Sequence, residues 1–208
     1  MRKAAIWDLD GTLFDSYDVI VESICQVFYE VGIEMSAETV RKHALEFSIQ
    51  SLFADVCRQY SVSMEQLNER YGQISRGKYL QIKPMANAMA VLEQLHRQGV
   101  EHYVFTHRGR TTVPVLEHLQ MDRYFREVLT SQSGFARKPD PQALSYLVEK
   151  YALDPDQTYY VGDRPLDMQC AANAGIHGIL YMPKNSILSS CTSADYVVAD
   201  LMDVLSII

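Results

Sequence analysis

The stretch IWDLDGTLFD, residues 6–15, decides the fold of this chain. An apolar run that ends at Trp7 indicates a short buried strand, and a Gly-Thr pair interrupts the strand pattern shortly afterwards. Between them lie Asp8 and Asp10, two residues apart. Because alternate residues of a strand point to the same side, both carboxylates are expected to converge where the strand ends.

Two carboxylates that converge in this way repel each other, and a divalent cation relieves the repulsion. Carboxylate and carbonyl oxygens are the ligands that Mg²⁺ prefers in proteins. The pair Asp8 and Asp10 therefore favours a Mg²⁺ site. The tetrapeptide DLDG taken alone would favour a simple turn with two solvated acids.

The composition is that of a globular protein with one large domain, or with a core and a small insert. The chain has 208 residues, of which 48% are hydrophobic and 22% charged. The net charge of −7 argues against a general nucleic-acid binder. No apolar run approaches a membrane span, and the N-terminus lacks a signal-peptide pattern.

The cysteines at 25, 57, 170 and 191 form neither a close pair nor a metal-binding spacing. We therefore expect buried thiols in a reducing cytoplasm. Nothing in the sequence indicates an oligomeric state.

Residues 16–82 show helical periodicity and no good strand. Apolar residues recur at helical spacing in the first helix, among them Val19, Ile20, Ile24 and Val27, and Ser36 with Thr39 indicates the start of the next. Further helices are predicted at 51–60 and 64–79. This segment is predicted to be an all-helical insert.

Beyond residue 82, helices and strands alternate, which is typical of a doubly wound parallel sheet in an α/β protein. Helices are predicted at 84–98, 111–119, 142–151 and 167–174, and strands at 100–105, 127–130, 158–161, 178–182 and 196–198.

Further polar residues follow other predicted strands. Thr106 follows one strand, Asp163 another, and Asp167 lies one helical turn after Asp163. Lys138 lies in a loop before a helix. Ligands of such sheets bind beyond the carboxyl ends of the strands. Each residue alone has an ordinary explanation, as a helix cap or a surface charge, but their common position favours one site.

The order apolar strand, Asp-x-Asp-Gly-Thr and Leu-Phe resembles the first motif of the haloacid dehalogenase superfamily of phosphatases. Thr106 matches the second motif, Lys138 the third, and Gly162-Asp163-x-x-x-Asp167 the fourth. The resemblance covers nearly the whole chain. It implies a catalytic core at 1–15 and 83–208 and a mobile helical cap at 16–82.

The resemblance also implies catalytic roles. Asp8 would be the nucleophile that forms an aspartyl phosphate, and Asp10 the general acid and base. Lys138 would bridge Asp8 and the phosphate, while Thr106 and nearby main-chain N–H groups would bind the remaining phosphoryl oxygens.

The implied metal is Mg²⁺. The resemblance assigns it to the side chain of Asp8, the main-chain carbonyl of Asp10, and Asp163. Asp167 would act through water or behind the direct ligands.

These features predict a Mg²⁺-dependent phosphatase for a small phosphorylated metabolite, similar to phosphoglycolate phosphatases. A sugar-phosphate mutase like β-phosphoglucomutase uses the same residues and stays open. So does a binding protein that keeps the fold without turnover. A dehalogenase is disfavoured because its first motif lacks the second Asp, here Asp10.

Three residues depart from the usual motifs: His107, Arg108 and Arg164. They could contact an anionic substrate or form ion pairs at the rim of the site. Ion pairs at the rim are the preferred interpretation.

Overall fold

The strand predicted from the first motif lies at the centre of the sheet. The structure is a computed structural model that describes residues 3–184 and 193–208. Ala4–Trp7 forms β1, which is completely buried. It pairs in parallel with Glu101–Phe105 on one side and with Thr158–Gly162 on the other.

Among the described residues, the sheet has six strands in the order β5 (Phe125–Leu129), β4 (Glu101–Phe105), β1 (Ala4–Trp7), β6 (Thr158–Gly162), β7 (His177–Tyr181) and β8 (Tyr196–Val198), and all its pairings are parallel. The prediction of a doubly wound α/β fold with a parallel sheet is therefore confirmed. Two further strands, β2 (Phe14–Asp15) and β3 (Lys83–Pro84), form a separate two-stranded sheet.

The α-helices agree with the sequence pattern to within a few residues. At the start of the helix Ala37–Glu46, the Ser36 hydroxyl accepts the N–H of Thr39 at 3.1 Å, as expected for a helix cap. The helices are α1 (Tyr17–Glu30), α2 (Ala37–Glu46), α3 (Ile49–Gln59), α4 (Met64–Lys78), α5 (Ala88–Arg97), α6 (Thr112–His118), α7 (Gln142–Tyr151) and α8 (Pro165–Ala174).

One predicted helix boundary is wrong. The helix expected from residue 84 begins only at Ala88, because Lys83 and Pro84 form β3. This short strand pairs in antiparallel fashion with β2, so that Phe14 lies opposite Pro84. A proline often begins a helix, and local periodicity contains no sign of a partner so far away in the sequence.

The chain divides into two compact units, residues 1–15 with 83–208 and residues 16–82. Each unit has its own apolar core. The first is built around β1, β4 and β6 and includes Ile6, Phe105, Leu144 and Tyr160. The second joins its four α-helices through residues such as Ile24, Phe28, Phe53 and Leu67.

Two other predictions concern exposure. Cys170 is buried as expected, but Cys25 and Cys57 are only partly buried, and Cys191 lies outside the described residues. None of the described helices has both the length and the apolar character needed to cross a membrane.

Candidate active site

Asp8 is fixed at the carboxyl end of β1. Its N–H donates to the carbonyl of Val161 at 2.9 Å, which extends the pairing with β6 by one residue. The residue is 1% exposed. The buried carboxylate therefore lies at the edge of the sheet where ligands of such folds bind.

The DLDGT motif forms a tight turn directly after this strand. The N–H groups of Thr12, Leu13 and Phe14 all point at the carbonyl of Leu9, at 3.1, 3.0 and 2.8 Å. Gly11 has a φ of +83°, a left-handed conformation that glycine adopts without a steric cost. The turn places Thr12 Oγ1 3.4 Å from Asp163 Oδ1 and so joins the first motif to the fourth.

Three of the predicted acids converge. Asp8, Asp163 and Asp167 are buried, and one carboxylate oxygen from each lies within 4.8 Å of the others. The side chain of Asp10 is not part of this group, so its predicted metal contact depends on the main-chain carbonyl alone.

Gly162 makes this approach possible. A Cβ atom at this position would lie 2.5 Å from Asp167 Cβ and 2.6 Å from Asp167 Oδ2. Such distances are far below van der Waals contact, so the end of β6 accommodates Asp167 only because residue 162 has no side chain.

Lys138 is the cation at the centre of the acidic group. Its Nζ lies 2.7 Å from Asp167 Oδ1 and 3.1 Å from Asp8 Oδ1, and the side chain is fully buried. Burial lowers the pKa of Lys138, but Asp167 and Asp8 outweigh burial and raise the pKa above its usual value. Lys138 therefore stays charged despite its surroundings.

Asp8 and Asp167 differ in their electrostatic surroundings. Burial raises the pKa of Asp8, and Lys138 only partly opposes that effect. Burial also raises the pKa of Asp167, but the charges of Lys138 and Arg164 outweigh burial and hold this pKa below its usual value. The N–H of Arg164 also donates to Asp167 Oδ2 at 3.1 Å.

The site is suited to a divalent cation. Both carboxylate oxygens of Asp8 are buried and accept no hydrogen bond from the described residues. Buried carboxylate oxygens without hydrogen bonds are costly even beside a cation, and a metal ion would satisfy them.

Thr106 and Asp10 are connected through Arg108. The Thr106 hydroxyl accepts the N–H of Arg108 at 3.1 Å. The guanidinium Nη1 of Arg108 then lies 2.6 Å from Asp10 Oδ1. Thr106 itself is fixed by its N–H, which donates to the carbonyl of Leu129 at 3.0 Å.

The interpretation of Arg108 and Arg164 as rim residues needs correction. Both form ion pairs, but with carboxylates inside the site. The Arg108 side chain is 9% exposed and pairs with Asp10; that of Arg164 is 12% exposed, with Nη2 3.8 Å from Asp8 Oδ2. The sequence showed two arginines near strand ends, but it did not show where their side chains point.

His107 is a site residue whose role sequence reasoning missed. Its Nε2 accepts the backbone N–H of Lys138 at 2.9 Å and so ties the loop after β4 to the loop that carries the lysine. Burial and the charges of Lys138 and Arg137 lower the pKa of His107 to about 2. The ring is therefore neutral, as an acceptor at Nε2 requires.

Tyr160 was also missed. Its hydroxyl lies 2.9 Å from the carbonyl of Phe105 and 3.4 Å from Asp167 Oδ1. The rings of Tyr160 and Phe105 flank the ammonium of Lys138, with centroids 5.1 and 5.2 Å from Nζ. The only sequence signal was that Tyr160 lies in β6, shortly before the fourth motif.

Comparison with known proteins places these residues in a family. The family model described as "haloacid dehalogenase-like hydrolase" matches residues 5–181. A phosphoglycolate phosphatase of Vibrio parahaemolyticus is 27% identical, with 99% of this chain and 96% of that protein covered. One of Pseudomonas fluorescens is 27% identical, with 85% and 68% covered.

Solved structures support the same fold. A haloacid dehalogenase-like family hydrolase from Streptococcus pneumoniae has a TM-score of 0.81 at 23% identity, and 99% of this chain and 98% of that chain are covered. A superfamily hydrolase from Geobacter sulfurreducens has a TM-score of 0.74 at 22% identity, with 99% and 96% covered.

The family model spans most of the chain, including the first, second and third motifs and the fourth-motif acids Asp163 and Asp167. The resemblance and the enzyme class predicted from the sequence are thereby confirmed. This chain belongs to the haloacid dehalogenase-like hydrolase family.

Proposed function

We propose that this chain is a Mg²⁺-dependent phosphatase that hydrolyses a small phosphate monoester through an aspartyl phosphate. The observation that carries the proposal is the state of Asp8. Its carboxylate is buried, accepts no hydrogen bond from the part of the chain that the structure describes, and lies beside a charged lysine and two further acids. The phosphoglycolate phosphatases among its relatives support the same reaction class.

Asp8, Asp163 and the main-chain carbonyl of Asp10 would hold the Mg²⁺ ion. When bound, the ion supplies positive charge that neutralises phosphoryl oxygens and reduces the repulsion between them and Asp8. Asp167 is engaged by Lys138 and by the N–H of Arg164, which suits a role behind the direct ligands.

Asp8 is the proposed nucleophile. Its carboxylate oxygen attacks phosphorus, and the ester oxygen leaves with the electron pair of the broken P–O bond. Lys138, held by Asp167, stays beside Asp8 and binds a phosphoryl oxygen. Thr106 and neighbouring N–H groups bind the other oxygens. Phosphoryl transfer depends mainly on such positioning and charge neutralisation.

Asp10 is the proposed general acid and base. It protonates the leaving oxygen in the first half of the reaction. In the second half it takes a proton from the water that attacks the phosphorus of the aspartyl phosphate, which releases inorganic phosphate and restores Asp8.

Residues 16–82 are proposed to form a cap that selects the leaving group and excludes water during transfer. This assignment rests on the family resemblance and on the helical, separately packed character of the unit. The proposed substrate is a small phosphorylated metabolite, and the proposed location is the cytoplasm.

A screen against phosphorylated metabolites tests the proposal. Purified protein with Mg²⁺ is incubated with a panel that contains phosphoglycolate, sugar phosphates, nucleotides and p-nitrophenyl phosphate. We expect release of inorganic phosphate from at least one small monoester. Release of no phosphate from any ester would refute a phosphatase. Rapid turnover only when a sugar phosphate accepts the group would identify a mutase instead.

Gly162→Ala is expected to lower turnover roughly tenfold or more, because the new Cβ would force Asp167 away from Lys138. Overpacking of this kind also costs about 1–3 kcal/mol of folding free energy. Turnover and urea unfolding are measured for the variant and the wild type.

Gly178→Ala is the matched control. It adds the same methyl group to the neighbouring strand β7, where the nearest atom is Met168 Sδ at 3.1 Å, at the flexible part of a side chain. We expect this variant to keep its turnover. Equal turnover in both variants would show that the close approach of Gly162 and Asp167 does not matter for the reaction.

A further inference from the structure

We propose that Arg108 is a positioning residue that orients the Asp10 carboxylate for proton transfer to the leaving group. The inference rests on the proposed function. The contact that supports the inference is the ion pair between Arg108 Nη1 and Asp10 Oδ1 at 2.6 Å. No site motif predicted this pair, because position 108 follows the second motif and Asp10 belongs to the first.

Arg108 is held firmly at its backbone. Its N–H donates to Thr106 Oγ1 at 3.1 Å, and its carbonyl accepts the N–H of Ser131 at 3.1 Å. The side chain is 9% exposed, and its guanidinium lies 6.0 Å from the ring centroid of Phe14. Because the backbone of Arg108 is fixed by hydrogen bonds and its side chain is largely buried, the planar guanidinium has little freedom to move.

Asp10 is the carboxylate that needs such support. Its side chain is 22% exposed, whereas that of Asp8 is 2% exposed. The contact with Arg108 engages Oδ1 and leaves Oδ2 to carry the proton. A charge-assisted hydrogen bond restricts the carboxylate to one orientation, and correct orientation of a reacting group contributes strongly to rate.

Arg108 would affect the two steps in which Asp10 gives up or takes up a proton. In the first half-reaction, phosphorus bonds to an Asp8 oxygen and its bond to the ester oxygen breaks. The O–H bond of protonated Asp10 breaks at the same time, and the proton moves to the ester oxygen. In the second, a water proton moves to Asp10 as the water oxygen bonds to phosphorus and Asp8 is released. Arg108 exchanges no proton in either step and acts only through Asp10.

Leaving groups of different basicity separate this role from substrate binding. An alkyl alcohol leaves only with a proton, whereas p-nitrophenolate leaves without one. If Arg108 orients Asp10, its loss lowers the rate of the first turnover for an alkyl ester more than for p-nitrophenyl phosphate. If Arg108 binds the phosphate group, both esters lose equally.

The experiment measures leaving-group release in the first turnover by rapid quench, with Mg²⁺ present. The enzymes are wild type, Arg108→Gln, Arg108→Lys, Asp10→Asn and the double variant Arg108→Gln with Asp10→Asn. The esters are p-nitrophenyl phosphate and the alkyl phosphate from which the wild type releases phosphate fastest in the metabolite panel. Arg110→Gln is the matched control, since Arg110 is exposed in the same loop.

For Arg108→Gln we expect the alkyl ester rate to fall roughly 10- to 100-fold and the p-nitrophenyl phosphate rate by less than about threefold. The apparent KM stays within about twofold. In the Asp10→Asn background, Arg108→Gln causes no further loss for the alkyl ester. Arg108→Lys shows an intermediate loss, and Arg110→Gln behaves as wild type.

Equal losses with the two esters, a rise in KM alone, or a full further loss in the Asp10→Asn background would overturn the inference. Thermal melts identify any variant that fails to fold, in which case Arg108→Lys is judged by the same criteria. A wild type that hydrolyses no phosphate ester overturns the proposed function, and this inference with it. An active wild type with equal losses overturns this inference alone.

Discussion

Asp8→Asn is expected to lower turnover roughly 10⁴-fold or more, since an amide cannot attack phosphorus. The substitution keeps the size of the side chain, so the packing around β1 is retained. It removes the negative charge of one of the two partners of Lys138, but Asp167 at 2.7 Å still pairs with the ammonium. A loss of activity in a folded variant would therefore support Asp8 as the nucleophile.

Trapping of the intermediate gives the measurement. Asp10→Asn with p-nitrophenyl phosphate should release about one nitrophenolate per active site and then stall, because no base activates the water. The stalled protein should carry hydroxylamine-labile phosphate on Asp8. The double variant with Asp8→Asn should carry none, and Asp156→Asn, which changes an exposed acid outside the site, should behave as wild type.

Two results would contradict these assignments. Phosphate on a residue other than Asp8 would refute its role as nucleophile. Steady turnover by Asp10→Asn at the wild-type rate would refute the role of Asp10 in activating water.

Removal of Mg²⁺ should abolish activity just as fully. Among the described residues, the buried carboxylates of Asp8, Asp163 and Asp167 lie together, so a dianionic phosphate would approach a cluster of like charge. Coulomb repulsion at such short range costs several kcal/mol at the effective dielectric constant of a protein site. We therefore expect EDTA to stop turnover, Mg²⁺ to restore it, and Ca²⁺ to restore it poorly because of its looser coordination.

A thermal melt measures metal binding independently of turnover. Mg²⁺ should stabilise the wild type by about 2.7 kcal/mol when its concentration is 100 times the dissociation constant. Asp163→Asn should lose most of this stabilisation, whereas Asp156→Asn should keep it. Full activity after exhaustive chelation, or equal stabilisation of Asp163→Asn and the wild type, would argue against the assigned site.

Much of the fold was predictable because it depends on short-range signals. The apolar run before Asp8 marked β1, and the alternation of strands and helices after residue 82 predicted a parallel sheet. The pairing of Phe14 with Pro84 was not predictable, because it joins two short segments with no strand periodicity of their own. The division of roles between a catalytic core and a cap remains a prediction.

The site followed the same rule. The acids at or just beyond strand ends were predicted, and Asp8, Asp163 and Asp167 do converge. Lys138, predicted from its loop, contacts Asp8 and Asp167. Contacts that depend on the direction of a side chain were not predicted from the sequence. The bond from the Lys138 N–H to His107, like the ion pair of Arg108 with Asp10, joins loops that only the folded sheet brings together.

The central place of β1 also has a consequence for the order in which the protein folds. Ala4 precedes both of its partners by a long stretch of chain, since it pairs with Glu101 on one side and Thr158 on the other. During synthesis the apolar β1 therefore waits until β4 has been made before one edge is covered, and until β6 has been made before the other is. Such distant pairing slows folding and leaves an exposed strand open to aggregation in the meantime. A chain that stops before β6 would leave one edge of β1 unpaired, and Asp8 would lack the carbonyl of Val161 that fixes its place.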